Sequence, residues 1–486
     1  RAMRAVNDNP VASRLMGVRV ATVVAATWIL SGAAGGIAGA LILPKLTLTP
    51  SSLDLVLLSA FVGVVLGGID SIAGAVVGCV VLGVFQSLVS AYLPVGYTNT
   101  YLLIFLVLVM AVRPQGFFGK KVLPKDPFGK SNVGRSPAAA SKNEHAIIRG
   151  ARRVGDWVVH HEGTDMIVIS VLFLVWMEIA TPYWRDTMLS AIATIPAVLG
   201  LVILSGHTSQ LSVGQVAFLA VGAYTTAQLV NHGWDLLAAL IVSCLLSAVL
   251  GLILGIATTR LTGPYLALVT LALAFATPEI LLNATKFTGG YLGLSISSVK
   301  LAGIALDDST STYLGLFVLA SLGALGAYLC VSRRFGMRMR AARDNEMGAL
   351  AAGLRPARYR VVAFVISGAL ACLSGGLMAV QATYISPTGY GLTQALLPLL
   401  AAVIFGRESL AAGMLGAVFV TIIPAIFAGA GGGWSGLIFG LLLIASLAAR
   451  NGVGALFRRL AVLRSRWNPD LPEMSPLAQP PVEMTK

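Results

Sequence analysis

The fold of this chain is decided by the stretch MRAARDNEMGALAAGLRPARYRVVAFVISGAL, Met339 to Leu370. A weaker copy stands near the start of the chain and reads MRAVNDNPVASRLMGVRVATVVAATWILSGAA, Met3 to Ala34. With Met3 placed on Met339 and no gaps, the copies share charged and polar residues as well as small ones. The identical pairs include Met3/Met339, Arg4/Arg340, Ala5/Ala341, Asp8/Asp344, Asn9/Asn345, Gly17/Gly353, Arg19/Arg355, Ser31/Ser367, Gly32/Gly368 and Gly39/Gly375. Two homologous modules therefore share the polypeptide.

A second pair of segments follows the first pair in the same order. The sequence VLGGIDSIAGAVVG, Val65 to Gly78, falls on VIFGRESLAAGMLG, Val403 to Gly416. The matched pairs are Gly68/Gly406, Asp70/Glu408, Ser71/Ser409 and Gly78/Gly416. Each module is thus predicted to consist of a charged segment followed by apolar spans.

The composition indicates a membrane protein. Hydrophobic residues make up 57% of the 486 residues, charged residues only 11%, and the mean hydropathy is +0.84. So few charges cannot keep the surface of a soluble globule of this size wet. Many apolar runs approach the roughly 20 residues that cross a bilayer. The predicted spans are 20–43, 53–67, 72–93, 97–112, 165–180, 188–205, 211–230, 236–259, 265–283, 312–331, 359–384, 394–405, 410–428 and 434–449. We therefore expect an all-α polytopic membrane protein with about fourteen transmembrane helices.

The basic residues indicate the orientation of these spans. Arg and Lys cluster in residues 1–19, 113–153, 333–360 and 450–466, and an even number of predicted spans separates each cluster from the next. One orientation therefore places all four clusters in the cytoplasm, as the positive-inside rule requires. Residues 286–311 then lie outside. This distribution accounts for the net charge of +14 without nucleic acid, which would need basic residues on a soluble fold.

The same features predict a domain organisation. Residues 1–119 are expected to be the C-terminal part of a first module, and residues 165–450 a second, complete module. Residues 120–164, rich in Pro, Gly, Ser and Lys, are expected to form a basic flexible cytoplasmic linker, and residues 451–486 a cytoplasmic tail. Because six spans precede the charged motif in the second module and none in the first, we also expect the front of the first module to be missing.

Signs of enzymatic chemistry are sparse in the sequence. The five His are scattered without metal-ligand spacing, and the four Cys lie in or at the ends of apolar spans, where packing is their usual role. Neither a nucleophile elbow nor a pair of catalytic carboxylates is present. We therefore predict no metal, no cofactor and no enzymatic turnover by this chain.

The charged segment of each module is predicted to contain a short surface helix. Asp344 or Asn345 can cap its start, and Gly353 can end it in a left-handed conformation. Such a helix between two spans can be pushed by a soluble partner, whereas an ordinary positive-inside loop needs only positive charge. The recurrence of the Asp-Asn pair and of the Gly nine residues after Asp favours the docking interpretation. The candidate residues are Arg4, Asp8, Asn9, Gly17, Arg340, Arg343, Asp344, Asn345, Glu346 and Gly353.

Polar residues inside apolar runs form a second set of candidates. Gln210, Ser212 and Gln215 stand in a Gly-punctuated apolar stretch, where a membrane helix can break and expose backbone to a water-lined path. Alternatively, these side chains form hydrogen bonds between closely packed helices. Glu279 is an ionisable residue at the end of a span, where it either acts in function or is simply solvated.

Four motifs in the second module resemble those of a known family. They are GHTSQLSVGQVAFLAVGAYT (Gly206–Thr225), GPYLALVTLALAFATPEILLNATKFTGGYLGLS (Gly263–Ser295), the RFG-to-ARDNE loop and GRESLAAGMLGA (Gly406–Ala417). The module resembles the permease subunit of branched-chain amino-acid ABC importers over nearly all of residues 188–449. Residues 1–119, which end in AVRPQGFFG, resemble the C-terminal part of the companion permease.

The resemblance implies partners and a location. In that family two permeases pair in the bacterial cytoplasmic (inner) membrane, and each docks a coupling helix on a separate cytoplasmic ABC ATPase. A periplasmic or extracellular solute-binding protein delivers a small-molecule solute. The resemblance makes the charged segments the ATPase-coupling sites, and the motifs add Gly214, Tyr224 and Tyr265 to the candidate substrate pathway of Gln210, Ser212, Gln215 and Glu279.

Departures from the family pattern leave the solute open. Gln215 stands where the family often has His, and Thr277-Pro278 precede Glu279 where the family often has Ala. Branched-chain amino acids, urea and short amides all remain candidates. A secondary transporter is the main alternative, but it would need carboxylates inside the membrane to bind a coupling ion, and Glu178 near a span end is the nearest case. A membrane scaffold without transport is a third possibility.

Overall fold

The chain divides into two compact units, and each is described by itself. The computed structural model describes residues 2–8, 10–42, 44, 52–68, 71–113, 116–118, 162–259, 264–296, 299–306, 309–332, 334–405, 409–427, 437–438 and 440–441. The first unit consists of the described residues of 1–125 together with 271–279, and the second of those of 126–270 and 280–486. The predicted tail, and the predicted linker up to residue 161, lie outside the described residues.

The described part of the first unit is helical. Its helices are α1 Ala2–Asp8, α2 Pro10–Leu15, α3 Val20–Ile42, α4 Ser52–Gly67, α5 Ile72–Tyr92 and α6 Thr98–Val112, with a 3-10 turn at Val95–Tyr97. Helices α4 and α5 pack closely because small residues meet between them. A Cβ added to Gly78 would lie 2.2 Å from the carbonyl oxygen of Gly63. Only residues without a side chain permit this approach of two backbones.

The second unit is a bundle around one long central helix. Its described helices are α7 Glu162–Ile179, α8 Pro182–Leu201, α9 Gln215–Asn231, α10 Leu236–Thr258, α11 Pro264–Asn283, α12 Thr285–Thr288, α13 Ser309–Ser332, α14 Arg334–Asp344, α15 Glu346–Ala351, α16 Pro356–Ala382, α17 Leu392–Phe405 and α18 Leu410–Phe427. Residues 271–279 of α11 are the part of this helix that belongs to the first unit. The central helix α16 packs against α8, α9 and α10. Close contact is again made by Gly, since a Cβ on Gly375 would lie 2.0 Å from the Leu219 carbonyl oxygen.

The all-α prediction is confirmed by the described residues. Thirteen of the fourteen predicted spans coincide with a helix, and the span predicted at 434–449 lies almost entirely outside the described residues. Eight described helices are long and apolar enough to cross a membrane. The span predicted to start at residue 188 begins earlier, because Pro182 occupies the first turn of α8, where its missing N–H costs nothing. The span predicted from residue 211 begins later, at Gln215.

The described strands are very short and pair two by two. Strand β1, Leu294–Ser295, pairs antiparallel with β4, Tyr384–Ile385, and β2, Lys300–Leu301, pairs antiparallel with β3, Ile304–Ala305. At the same end of the second unit, the Asn231 amide donates to the Ser295 carbonyl at 2.8 Å. These contacts connect the segments at one end of the bundle. This is the end that the sequence predicts to face away from the cytoplasm.

The two copies of the repeat have the same local structure. Helices α1 and α2 are separated by one residue, as α14 and α15 are at positions 336 residues later. The apolar helices α3, α4 and α5 correspond in the same way to α16, α17 and α18. Ser71 and Ser409 each cap the following helix, accepting the N–H of Gly74 at 3.0 Å and of Ala412 at 3.3 Å. The repeat read from the sequence is therefore also a repeat of structure.

Candidate functional site

The charged segment of the second copy forms a helix, a break and a second helix. Asn345 is the residue at the break, and its Oδ1 accepts the N–H of Gly348 at 2.8 Å, which caps α15. Of the two predicted caps, the structure thus selects Asn345. Asp344 instead accepts a hydrogen bond from Arg343 Nε at 2.7 Å. Gly353 has φ +76°, the left-handed conformation expected after a helix end.

The first copy repeats this backbone pattern. Helix α1 ends at Asp8, α2 begins at Pro10, and Gly17 has φ +81°. Asn9 and the side chains of Arg4 and Asp8 lie outside the described residues. The predicted surface helix followed by a left-handed Gly is thus present in both copies.

Arg343 of α14 is directed inward rather than toward solvent. Its guanidinium Nη1 donates to the carbonyl oxygen of Gly206, and its side chain is 18% exposed, whereas that of Asp344 is 62% exposed. Gly206 belongs to a π-helical turn, Val202–His207, that ends the α8 span. A cation suits this position because the carbonyls at a helix end carry partial negative charge. Arg340, one turn earlier, is half-buried.

A second polar contact joins the same segment to the central helix. Glu346 at the start of α15 accepts from Arg360 Nη2 of α16 at 2.8 Å. An exposed ion pair of this kind contributes about 0–1 kcal/mol to stability. Its significance is therefore positional, because it links the charged segment to the N-terminal part of α16.

A helix break is present in the Gly-punctuated stretch that contains Gln210 and Ser212, where the sequence indicated that a helix can break. After the π-helical turn, residues 209–214 have no helix, and α9 begins at Gln215. Backbone groups freed by the break find side-chain partners: Thr208 Oγ1 donates to the Leu204 carbonyl at 2.6 Å, and the N–H of Val213 donates to Thr270 Oγ1 at 3.1 Å. Single π-turns of this kind occur frequently at functional sites.

Buried polar side chains surround this break. Gln215 is fully buried, and its Nε2 donates to Ser367 Oγ of α16 at 3.1 Å. Among the described residues, Gln215 Oε1 and Ser212 Oγ have no hydrogen-bond partner. Gln210 is also buried, with its Oε1 3.4 Å from Thr208 Oγ1. Both interpretations of these residues therefore remain supported. The Gln215 amide nitrogen forms a hydrogen bond between two helices, as the packing interpretation expects, while Gln215 Oε1 and Ser212 Oγ can still bind another partner, as the pathway interpretation expects.

The remaining pathway candidates lie at different depths of the second unit. Gly214 immediately precedes α9, and Tyr265 is half-buried at the start of α11. Tyr224 is 1% exposed, and its ring lies 5.7 Å from that of Tyr390, between centroids. Burial, and secondarily the neighbouring Tyr224, raises the pKa of Tyr390 above its usual value. Tyr224 stands nine residues after Gln215, about 13 Å along the helix.

Glu279 belongs to the first unit. Its Oε1 accepts the N–H of Asn99 at 3.0 Å, and its Oε2 accepts the N–H of Thr100 at 2.7 Å and the Thr100 hydroxyl at 3.0 Å. A carboxylate at the N-terminus of α6 satisfies free N–H groups and is favoured by the helix dipole. This position gives Glu279 a structural task that its sequence context did not indicate.

Three residues of the site were not found from the sequence. Arg360, Ser367 and Tyr390 contact predicted residues across long separations along the chain. A signal existed for Ser367, which is one of the residues identical between the copies. Arg360 and Tyr390 have no counterpart of this kind.

Known proteins resemble separate parts of the chain. The high-affinity branched-chain amino acid transport system permease protein LivM of Salmonella typhimurium is 30% identical over 283 residues, which cover 52% of this chain and 66% of LivM. The probable branched-chain amino acid transport permease protein LivH of Methanocaldococcus jannaschii is 32% identical over 125 residues, covering 24% of this chain and 40% of LivH. The autoinducer 2 import system permease protein LsrC of Yersinia pseudotuberculosis is 28% identical over 306 residues, covering 59% and 84%. The chain thus spans just under two thirds of the length of LivM.

A family model covers both modules. No solved structure matches the chain. The model described as "Branched-chain amino acid transport system / permease component" matches residues 1–112 and 185–447, which is well over half of the sequence. With eight apolar spans among the described helices and bacterial relatives, the chain is a multi-pass inner membrane protein. It belongs to the family of branched-chain amino acid transport system permease components.

Proposed function

We propose that this chain is the transmembrane permease component of an ATP-binding cassette importer. It carries branched-chain amino acids or a related small polar solute across the cytoplasmic membrane. A separate ATPase subunit drives transport from the cytoplasm, and a separate solute-binding protein delivers the solute. Membership of the permease family supports this proposal, as do the transport functions in the names of LivM, LivH and LsrC.

One contact carries the mechanistic part of the proposal. The Arg343 guanidinium on the Gly206 carbonyl connects the charged segment with the helix break beside Gln215. An ATPase that moves α14 would therefore pull on the end of the α8 span, while the Glu346–Arg360 pair transmits motion to α16. Because Gln215 is bonded to Ser367 of α16, both displacements reach the same buried polar groups.

The chemistry of the buried groups fits a small solute with an apolar part. The core of the second unit around α9 is mainly aliphatic and aromatic, and it also contains buried polar side chains such as Ser212, Gln215, Tyr224, Thr225 and Thr226. Binding sites for small molecules combine such apolar walls with a few polar groups that orient the ligand. An aliphatic amino acid matches this combination better than a highly charged solute does.

The test is a charge reversal in a reconstituted complex. Purified chain, its ATPase and its solute-binding protein are placed in proteoliposomes, and ATP hydrolysis is measured with and without loaded binding protein. We expect Asp344→Lys to reduce solute-stimulated hydrolysis at least about tenfold and to weaken co-purification of the ATPase, because a like charge at a docking surface costs several kcal/mol. Asp8→Lys in the first copy should act in the same direction.

Asp186 provides the matched control. It is an exposed residue of α8 near the other end of that span, so Asp186→Lys makes the same charge change away from the coupling segment. We expect this variant to keep wild-type stimulation. If Asp344→Lys also kept it, the coupling role of the segment would be rejected.

Uptake of labelled leucine and of urea by the same proteoliposomes tests the solute and the alternative mechanism. Under the proposal, leucine uptake requires internal ATP and the ATPase. Uptake that continued without ATPase and followed an ion gradient would instead support a secondary transporter.

A further inference from the structure

A basic cavity lies where the charged segment of the second copy meets the membrane. Its volume is about 460 Å³. The lining consists of three arginines, two aromatic residues and short apolar residues: Phe335, Arg338, Gly353, Leu354, Arg355, Arg358, Tyr359 and Val362. We propose that this cavity binds the phosphate-bearing headgroup of an anionic phospholipid from the cytoplasmic leaflet.

The position of the cavity is that of lipid headgroups. Its walls come from the first turns of α16, a membrane-span candidate, and from α14, which begins two residues after the α13 span ends at Ser332. The rings of Phe335 and Tyr359 lie 5.5 Å apart between centroids. Aromatic residues of this kind concentrate at the membrane interface. Val362, which also lines the cavity, is 37% exposed, so an apolar side chain stands beside the basic groups.

The charges in the cavity are available for an anion. Arg343 and Arg360 of the same segment are paired with Asp344 and Glu346. Among the residues that the structure describes, no carboxylate pairs with Arg338, Arg355 or Arg358, which are all exposed. The planar guanidinium of Arg binds phosphate through two parallel hydrogen bonds. Basic pockets at the cytoplasmic ends of membrane helices bind anionic headgroups in other proteins.

A comparison of the two copies separates this cavity from the proposed ATPase docking surface. The predicted coupling residues recur in the first copy, as Arg4, Asp8, Asn9 and Gly17 do. The cavity residues mostly do not, because Ala2, Thr22 and Val23 stand where the second copy has Arg338, Arg358 and Tyr359. Of the lining residues, Gly353 and Arg355 are matched, by Gly17 and Arg19, so Gly353 belongs to both sets. A surface needed by both copies for one kind of partner would be repeated, so the cavity serves a different ligand.

The test measures lipid bound to the purified, full-length chain by native mass spectrometry in detergent, after titration with phosphatidylglycerol or phosphatidylcholine. We expect wild-type protein to retain one phosphatidylglycerol with clear preference over phosphatidylcholine. The variant Arg338→Gln/Arg358→Gln should weaken that binding on the order of tenfold to thirtyfold, since each basic residue near a lipid surface contributes about 1 kcal/mol. Arg338→Lys/Arg358→Lys should bind with intermediate strength, because charge remains without the guanidinium geometry.

The control variant Arg14→Gln/Arg334→Gln removes the same charge from exposed positions that do not line the cavity. It should bind phosphatidylglycerol within about twofold of wild type, and all variants should be monodisperse. Equal lipid binding by the cavity variant and the control would overturn the proposal. Displacement of the lipid by inorganic phosphate at equal concentration would show a free-anion site and overturn the lipid assignment. Retained lipid with lost ATPase co-purification would make the cavity a docking surface instead.

Discussion

Helices α3 and α16 are copies of one another, yet their aligned glycines lie in different surroundings. In α16, a Cβ added at Gly368 would lie 2.8 Å from the Phe218 ring, and one at Gly375 would lie 2.0 Å from a backbone oxygen. In α3, the aligned Gly32 and Gly39 have no described atom within 4 Å of such a Cβ, and none of the described side chains of α3 is buried. The shared glycines would allow both helices to pack closely against a neighbour. Among the described residues, such close packing at these glycines is seen only around α16. Sequence similarity between the copies therefore indicates that both helices can pack closely. The structure shows which of them has close neighbours among the described residues.

The largest effect on stability is expected from Ala substitutions at the aligned glycines Gly375 and Gly39. Gly375→Ala should lower the free energy of unfolding by about 2–3 kcal/mol, because the added methyl group meets backbone that cannot move aside. Gly39→Ala should be neutral or stabilising by up to about 1 kcal/mol, since Ala favours helix where space is open. Unfolding of each variant in detergent, followed by loss of helical signal, gives both numbers. Destabilisation of equal size in both variants would show that α3 has a close neighbour too.

The second expectation concerns a residue that the copies do not share. The position of Arg343 is occupied in the first copy by Asn7, so the contact with a helix-end carbonyl is specific to the second copy. Arg343→Met should reduce solute-stimulated ATP hydrolysis by about tenfold or more, because a hydrogen bond to a charged group contributes about 1.5–3 kcal/mol. ATPase co-purification should stay intact, since the side chain is directed inward.

The readout for this residue separates transmission from folding. Arg343→Lys should restore part of the stimulation, and Asn7→Met should change it little. A loss of ATPase binding in Arg343→Met would place this residue on the docking surface and remove it from the transmission path.

The local features of the fold were predictable from sequence. Span positions follow from runs of apolar residues, and the left-handed Gly353 follows from its place after an Ala-rich helix. Such features depend on neighbours within about one helical turn. The choice of Asn345 over Asp344 as the cap was not predictable, because both side chains can accept the same hydrogen bond.

Contacts between distant residues could not be predicted in the same way. Arg343 and Gly206 are 137 residues apart, and Glu279 and Asn99 are 180 apart. Their pairing depends on how helices pack, which no local pattern records. Ser367 is intermediate, because its identity with Ser31 marked it as important without showing that Gln215 binds it.

A smaller effect is expected inside the first unit. Glu279→Gln removes a negative charge from the N-terminus of α6 while keeping one acceptor oxygen. It should lower the free energy of unfolding by about 1 kcal/mol, the usual contribution of a carboxylate to a helix N-terminus. The variant Asp186→Asn serves as control for loss of one exposed charge. Identical unfolding of both variants would show that the carboxylate contributes only as a hydrogen-bond acceptor.

The smallest effect on stability is expected at the helix caps, a feature that the two copies share. Ser71 and Ser409 cap corresponding helices, with Ser71 Oγ at 3.0 Å and Ser409 Oγ at 3.3 Å from the N–H three residues later. Replacing either Ser by Ala should cost about 0.5–1 kcal/mol, as for other lost N-caps, and the two costs should agree within about 0.5 kcal/mol because the local geometry is repeated. Paired unfolding measurements of Ser71→Ala and Ser409→Ala in one detergent provide the check. A large effect at Ser409 with none at Ser71 would mean that two caps of the same backbone geometry contribute differently to the free energy of unfolding. The packing around each helix would then determine how much its cap stabilises the protein.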